Sequence, residues 1–417
     1  MNEKLVALSI ESKNISGAIG TEINGEFEIV DTITKVSNGI SKCKVVDKKL
    51  LTESILDVLE ELSHRNSERI DSVYLSIGTE HTNVKCNKGV FLLDNAQSVV
   101  SKKEVLSAYM DGQSITKDSG EYIFDSIIRN IYLDGQMVLD SPIEKNALSI
   151  EIDLDIIATE KEYLNDIQDI FNSIGCKING FILGLNALKD LFSADNINSG
   201  PELFIDFGDE KTDFIYYENN RINDMKSIEL GGVNIIKDLS FITKFDEEVL
   251  DTIKTEYAPK YDTLRREFSK ITHNDVNIDS VLFYDVINAR IEEILSYIRK
   301  YAEEKNIYDG MTKVTVFGDS ICLFENIEVL IEEVLQKKTK VFTKNDIKVE
   351  NSSIITSIAI VKEVYDRLKL IGKDIIIYIP EEVKDIIVEE DKISNEDVKE
   401  VKKKGLSKVL RFLGDIF

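Results

Sequence analysis

The chain lacks the residue groupings on which most catalytic and metal sites are built. Its four cysteines, Cys43, Cys86, Cys176 and Cys322, are scattered without a CxxC pair, and its three histidines, His64, His81 and His273, stand in no ligand spacing with them or with one another. That argues against structural zinc. Scattered free cysteines suit a reducing cytoplasm, where most are small buried residues. There is no HExxH and no Ser/His/Asp arrangement, and the carboxylates are too many and too evenly spread to single out a catalytic pair. No catalytic residue and no metal site is expected. No stretch approaches the roughly 18 apolar residues that span a bilayer. Met1 to Ile10 mix Glu3 with Lys4 and lack a basic start, a long apolar run and a small-residue cleavage site, so they do not read as a signal peptide. Positive charge is also scarce, with 51 Lys and Arg against 76 Asp and Glu and a net charge of −25. Phosphate contacts need a basic footprint, and none appears outside the last sixteen residues, which argues against general nucleic-acid binding.

What the chain does have is concentrated at its end. From Lys402 to Phe417, Leu406, Val409, Leu410, Leu413, Ile416 and Phe417 share one helical face, and Ser407, Lys408, Arg411 and Asp415 share the other, behind the run Lys402, Lys403 and Lys404. Residues 381–400 ahead of it hold nine carboxylates against three lysines, too polar to fold alone and suited to a flexible tether. A basic amphipathic helix on a tether reads as a membrane-surface anchor. Each buried apolar side chain contributes roughly 1.5–3 kcal/mol, and each basic residue near an anionic leaflet about 1 kcal/mol. The acidic body would be repelled by the same leaflet, but screening over about 8 Å lets a tethered basic tail be attracted. The alternative is that this segment docks on its own domain as a last core helix.

At 417 residues the chain is long enough for two to four subdomains. Leu5–Ile10, the Gly17–Gly20 stretch and Glu26–Asp31 read as a meander turning at Asn24-Gly25, followed by a helix over 51–62 and a buried strand over 72–78. A compact unit follows: a strand at 91–93, a helix at 102–110, a strand at 127–133, a turn at Asp134-Gly135-Gln136 and a strand over 147–158. A helix at 163–174 capped by Gly175, a strand at 178–183 and a helix at 187–192 come next. Pro201 opens a second round, with strands at 203–207, 214–217 and 225–230 and a helix opened by Gly231-Gly232. Two α/β halves that each begin with a meander suggest internal duplication. Residues 246–275, acidic and interrupted by Pro259, are expected to be helical, as are 280–304 and 356–368, with a buried strand at 314–318.

The segment Leu203-Phe204-Ile205-Asp206-Phe207-Gly208-Asp209-Glu210-Lys211-Thr212-Asp213 is a strand, a tight turn and a returning strand. Such a turn can offer backbone N–H groups to phosphates, with Asp206 holding Mg²⁺ through water; read alone, it is more often a polar surface hairpin. The segment resembles the DIGGGTTD phosphate loop of the FtsA family of bacterial actin-like cell division proteins. Ile228-Glu229-Leu230-Gly231-Gly232-Val233-Asn234 resembles that family's IPLGGDH, and Tyr132–Gln136 with Asp140–Pro142 resembles its VDGQ…DP stretch. The terminal amphipathic helix matches its membrane-targeting sequence. The resemblance implies an α/β, actin/Hsp70-like duplicated fold with an inserted small α/β (SHS2-type) subdomain and a C-terminal amphipathic helix. It places ATP, if retained, near Asp206, Gly208, Thr212, Gly231, Gly232 and Gly318. Membrane contact would fall to Lys404, Leu406, Lys408, Val409, Leu410, Arg411, Leu413, Ile416 and Phe417.

The departures fall where nucleotide would sit. The family's first phosphate loop, roughly DIGTSK, stands here as Ser9-Ile10-Glu11-Ser12-Lys13-Asn14, without the Asp and the Gly. Asp209 and Glu210 replace glycines of the second loop, and the adenosine-side GG pair becomes Gly318-Asp319. A carboxylate a few ångströms from a triphosphate costs on the order of 1–4 kcal/mol. Binding of ATP and Mg is therefore expected to be weak or lost.

The resemblance divides the chain into a first half (1–81, 161–200 and a closing segment 346–380) with an insert at 82–160. It places the second half at 201–240 and 280–345 with a helical subdomain at 241–279, then the acidic linker 381–401 and the anchor 402–417. It implies a non-enzymatic cell division protein, peripheral on the inner face of the cytoplasmic membrane at the division site. There it would tether FtsZ filaments to anionic lipid, self-associate into filaments and meet other division proteins. The alternatives are an ATP-binding, weakly ATPase member of the same fold and a PilM-type pilus assembly protein.

Overall fold

A computed structural model describes residues 4–371, apart from 43, 81, 96–97, 115–120, 193–199, 268–269, 275, 319 and 350–351. The segments expected to form the acidic linker and the terminal anchor lie outside the described residues.

The duplication expected from the two meanders is visible in the sheets. Leu5–Ile10, Asn14–Ile23 and Glu26–Val36 form an antiparallel meander, and Ser72–Ile77 and Lys177–Leu183 add in parallel beside Leu5–Ile10. The second half repeats this order: Glu202–Phe207, Thr212–Glu218 and Arg221–Ile228 form the meander, and Lys313–Phe317 and Lys338–Val341 add in parallel. The hairpin turns are made where the sequence places residues tolerant of positive φ: Asn24-Gly25 in the first meander and Asn219-Asn220 in the second.

A sheet that carries parallel strands is covered on both faces, and Asn14–Ile23, an antiparallel strand of this sheet, is buried at seven consecutive positions. Leu62, at the end of helix Lys48–Asn66, packs against the sheet at Gly17, while Val361 of helix Ile355–Ile371 packs against it at Gly20. Asp47 caps the first of these helices by accepting from the amides of Lys49 and Leu50. The second half is filled by one continuous core, in which Ile287, Ile291, Ile294 and Ile298 of the helix Ser280–Glu304 meet Leu203, Ile205, Val314 and Val316 of the sheet.

Between Ile77 and Lys177, which lie in adjacent strands of the first sheet, the chain leaves to build a separate four-stranded sheet. Its order is Thr82–Leu92, Ser149–Glu160, Glu121–Leu133 and Gln136–Val138, with helix Lys102–Gln113 against it. Two buried carboxylates fasten it. Asp155, with no exposure, accepts from Arg129 Nε at 2.7 Å, Arg221 Nε at 3.0 Å and the Ile222 amide at 2.8 Å. Asp125 accepts from Arg367 of the closing helix and from the Leu183 amide at 3.0 Å.

Two expectations are corrected. Within 246–275 the helices are Glu247–Tyr257 and Tyr261–Glu267, joined through a short 3-10 turn at Pro259, but Lys270–His273 and Val276–Asp279 pair as a β-hairpin. Ile271 and Ile278 face each other across it and are buried. The strand expected at 91–93 is the end of a much longer one, Thr82–Leu92, which pairs with Ser149–Glu160 along its whole length. Cys176 and Cys322 are buried as expected, whereas Cys86 is exposed. Burial, with Asp71 second, pushes the Cys176 thiol up to about 11, which leaves it unreactive near neutrality.

Candidate functional site

The two meanders present their tight turns to one cleft. Ser9–Lys13 enter it from the first half with Ser76–Gly78, and Asp206, Gly208 and Asp209–Lys211 enter it from the second. Of the residues singled out from sequence for nucleotide, Asp206 and Gly208 line the cleft, as do the intruding acids Glu11, Asp209 and Glu210. Asp206 is half-buried at a strand end, directly opposite Asp213. Thr212, Gly231, Gly232 and Gly318 do not line the cleft. The Thr212 hydroxyl is buried and donates to the Leu230 carbonyl at 2.8 Å.

The glycines serve close packing between loops. Gly318 has φ +123°, and a side chain there would strike the Phe207 backbone. A Cβ on Gly231 would stand 2.5 Å from the Gly208 carbonyl oxygen and 2.6 Å from that of Asp209. This intimacy has a chemical consequence. The helix Gly232–Thr243 begins here, and its first amides, which would otherwise offer an anion site, already donate within the protein. Gly232 N–H reaches the Gly208 carbonyl at 3.1 Å and Val233 N–H the Asp209 carbonyl at 2.8 Å.

The acids of the cleft are engaged from both sides. Ser9 Oγ donates to Glu11 Oε1 at 3.0 Å. Glu210 accepts from the Lys42 amide at 2.6 Å and Ser41 Oγ at 3.2 Å. Burial alone would raise the Glu210 carboxyl, but hydrogen bonds from Ser12, the Lys42 amide and Ser41 outweigh it and hold it below the usual range. Lys13 Nζ lies 2.9 Å from Asp251 Oδ2 and 4.0 Å from Asp209 Oδ2. Burial would raise Asp251 likewise, but Lys254 and Lys13 bring it below its ordinary value. Lys42 Nζ reaches Glu229 at 2.7 Å. Lys211 Nζ sits 2.9 Å from Asp213 Oδ2 against Gly78, and Thr79 Oγ1 donates to Asp213 Oδ1 at 2.9 Å. Every one of these contacts except those of Glu11, Lys254 and the Lys211–Asp213 pair itself joins the first half to the second. Sequence reasoning identified the acids but not Lys42, Thr79, Lys211 or Asp251. Nothing local marks them, since Lys13 and Asp251 are 238 residues apart.

No family model matches the chain. It is 22% identical to the cell division protein FtsA of Bacillus subtilis over 388 residues, 91% of this chain and 88% of that protein. It is 23% identical to the FtsA of Buchnera aphidicola from Acyrthosiphon pisum over 356 residues, covering 81% and 84%. The FtsA of Staphylococcus epidermidis is 22% identical over 376 residues, covering 85% and 78%. These similarities over most of the chain support a divergent FtsA. Among solved structures, a chain of a PilM–PilN type IV pilus biogenesis complex overlays with a TM-score of 0.57 at 12% identity, covering 88% of this chain and 98% of that one. MreB5 of Spiroplasma citri bound to ADP overlays at 0.51 with 10% identity, covering 88% and 97%. The fold is therefore actin-like.

An FtsA-type cleft implies Mg-ATP, and the residues present do not fit it. The cleft leaves a cavity of about 110 Å³, against roughly 300–1,000 Å³ for small-molecule sites. Its lysines are matched to carboxylates, and the helix amides nearest the second loop are spent on that loop's own carbonyls. Among the described residues no cluster of metal ligands is found, and no helix is long and apolar enough to cross a membrane.

Proposed function

We propose that this chain tethers a division filament, FtsZ by family resemblance, to anionic lipid on the inner face of the cytoplasmic membrane, assembles there with copies of itself, and does so with nucleotide binding weak or lost. The observation that carries the reading is the similarity to the FtsA of Bacillus subtilis over 91% of the chain, joined to a basic amphipathic pattern in the last sixteen residues that suits an anchor. Lys404, Lys408 and Arg411 would meet lipid headgroups, and Leu406, Val409, Leu410, Leu413, Ile416 and Phe417 the acyl boundary. Residues 82–160 would be the SHS2-type insert and 381–401 the tether. Asp206, Gly208, Thr212, Gly231, Gly232 and Gly318 would be the remnant of a nucleotide site. The likeness to PilM rests on fold alone, whereas the sequence similarity runs to FtsA.

Co-sedimentation with anionic vesicles tests the anchor. The full chain should pellet with vesicles and a chain ending before Lys404 should not, while keeping the same cooperative melt. Loss of that melt on truncation would make the segment a core helix and defeat the reading.

A further inference from the structure

Two carboxylates of the second half are met across the cleft by groups of the first half. The first faces the first half, where the Lys42 amide and the hydroxyls of Ser12 and Ser41 converge on the carboxylate of Glu210. The second is Asp209, which faces Lys13 of the first half at 4.0 Å. Its carboxylate also lies beside the start of the helix Gly232–Thr243, where the macrodipole favours negative charge, while the first amides of that helix donate to the Gly208 and Asp209 carbonyls. Lys13 lies over Asp209 and ties it to Asp251. Both carboxylates belong to the second half, and Lys42, Ser12, Ser41 and Lys13, which meet them, belong to the first. We propose that Asp209 and Glu210 are the resident anions of this cleft, standing where phosphate groups would bridge the halves, and that with Lys13 and Lys42 they clamp it closed in the absence of any nucleotide.

This inference rests on the reading that nucleotide is not required, and deepens it by naming what takes its place. A bridging ligand closes two lobes because each lobe donates to the same anion, and a carboxylate carried by one lobe and bound by the other does the same without dissociating. It also blocks a phosphate from entering, by charge and by occupying the donors. The substitution of glycine by acid at 209 and 210 thus exchanges a ligand-operated closure for a built-in one.

Hydrogen–deuterium exchange of the full-length chain tests it, read at residues 9–14, 39–45 and 208–213. In the unaltered protein these segments should be protected, and millimolar Mg-ATP or pyrophosphate should not change them. Replacing Asp209 and Glu210 by glycine should speed their exchange about tenfold, and pyrophosphate should restore protection in that variant alone. Glu210→Gln, which keeps the side-chain shape, should give a smaller acceleration and covers the case in which the double variant does not fold. Fast exchange in the unaltered cleft, or slowing of it by Mg-ATP, would overturn the proposal. Vesicle binding is measured on the same preparations, so a failed tether is distinguishable from a failed clamp.

Discussion

Asp155 illustrates what single residues contribute here. It is a carboxylate with no exposure, held by two guanidinium groups and a backbone amide drawn from the insert sheet and the second-half sheet. Removing it leaves Arg129 buried without its counter-charge, so Asp155→Ala should cost about 3–5 kcal/mol, read as a lower urea midpoint. The cleft acids make a second prediction. Glu210, facing Ser12, Ser41 and Lys42, and Asp251, facing Lys13 and Lys254, both have carboxyls below their ordinary values of 4.5 and 3.8 in the folded state. A depressed carboxylate contributes its stability in full above the unfolded value and loses it as pH falls through the folded one. Protection of the cleft amides, corrected for their intrinsic exchange rate at each pH, should therefore be flat from neutrality to about pH 5 and fall below about pH 4. A fall in protection already between pH 7 and 6 would show that other groups hold the cleft. At this scale the sequence exposed the acids, because Glu11, Asp209 and Glu210 break a glycine pattern. It hid their partners, because pairing across 238 residues is a property of the fold.

Elements were legible where they are long and periodic and hidden where they are short. The helix Ser280–Glu304 and both meanders follow from apolar spacing and turn residues. The hairpin Lys270–Asp279 does not, because four-residue strands carry only two inward positions each and lie between acidic helices. The terminal segment offers the opposite case, with strong periodicity in a stretch outside the described residues. If it is the anchor, Leu410→Glu or Leu413→Glu should abolish sedimentation with anionic vesicles, since a charge on the apolar face loses burial and adds desolvation. Lys408→Glu with Arg411→Glu should weaken it and flatten its dependence on salt. Binding that ignores both pairs of changes would remove the segment from the account.

For the molecule as a whole, the duplicated sheets and the insert were readable from two meanders and the resemblance to FtsA, whereas the contacts across the cleft were not. On the proposed reading, a chain of net charge −25 is held at a membrane that repels most of it, and a polar linker of about twenty residues would carry the basic tail beyond the screening length of about 8 Å. On the same reading, halves joined by their own ion pairs would have no need to wait for nucleotide before assembling there. The most direct measurement is recruitment of purified FtsZ to anionic vesicles by the full-length chain, with nucleotide for FtsZ supplied only as GTP and ATP removed enzymatically. The account predicts that FtsZ sediments with the vesicles to the same extent with and without Mg-ATP, and not at all when the chain ends before Lys404. Recruitment that appears only when Mg-ATP is added would contradict it.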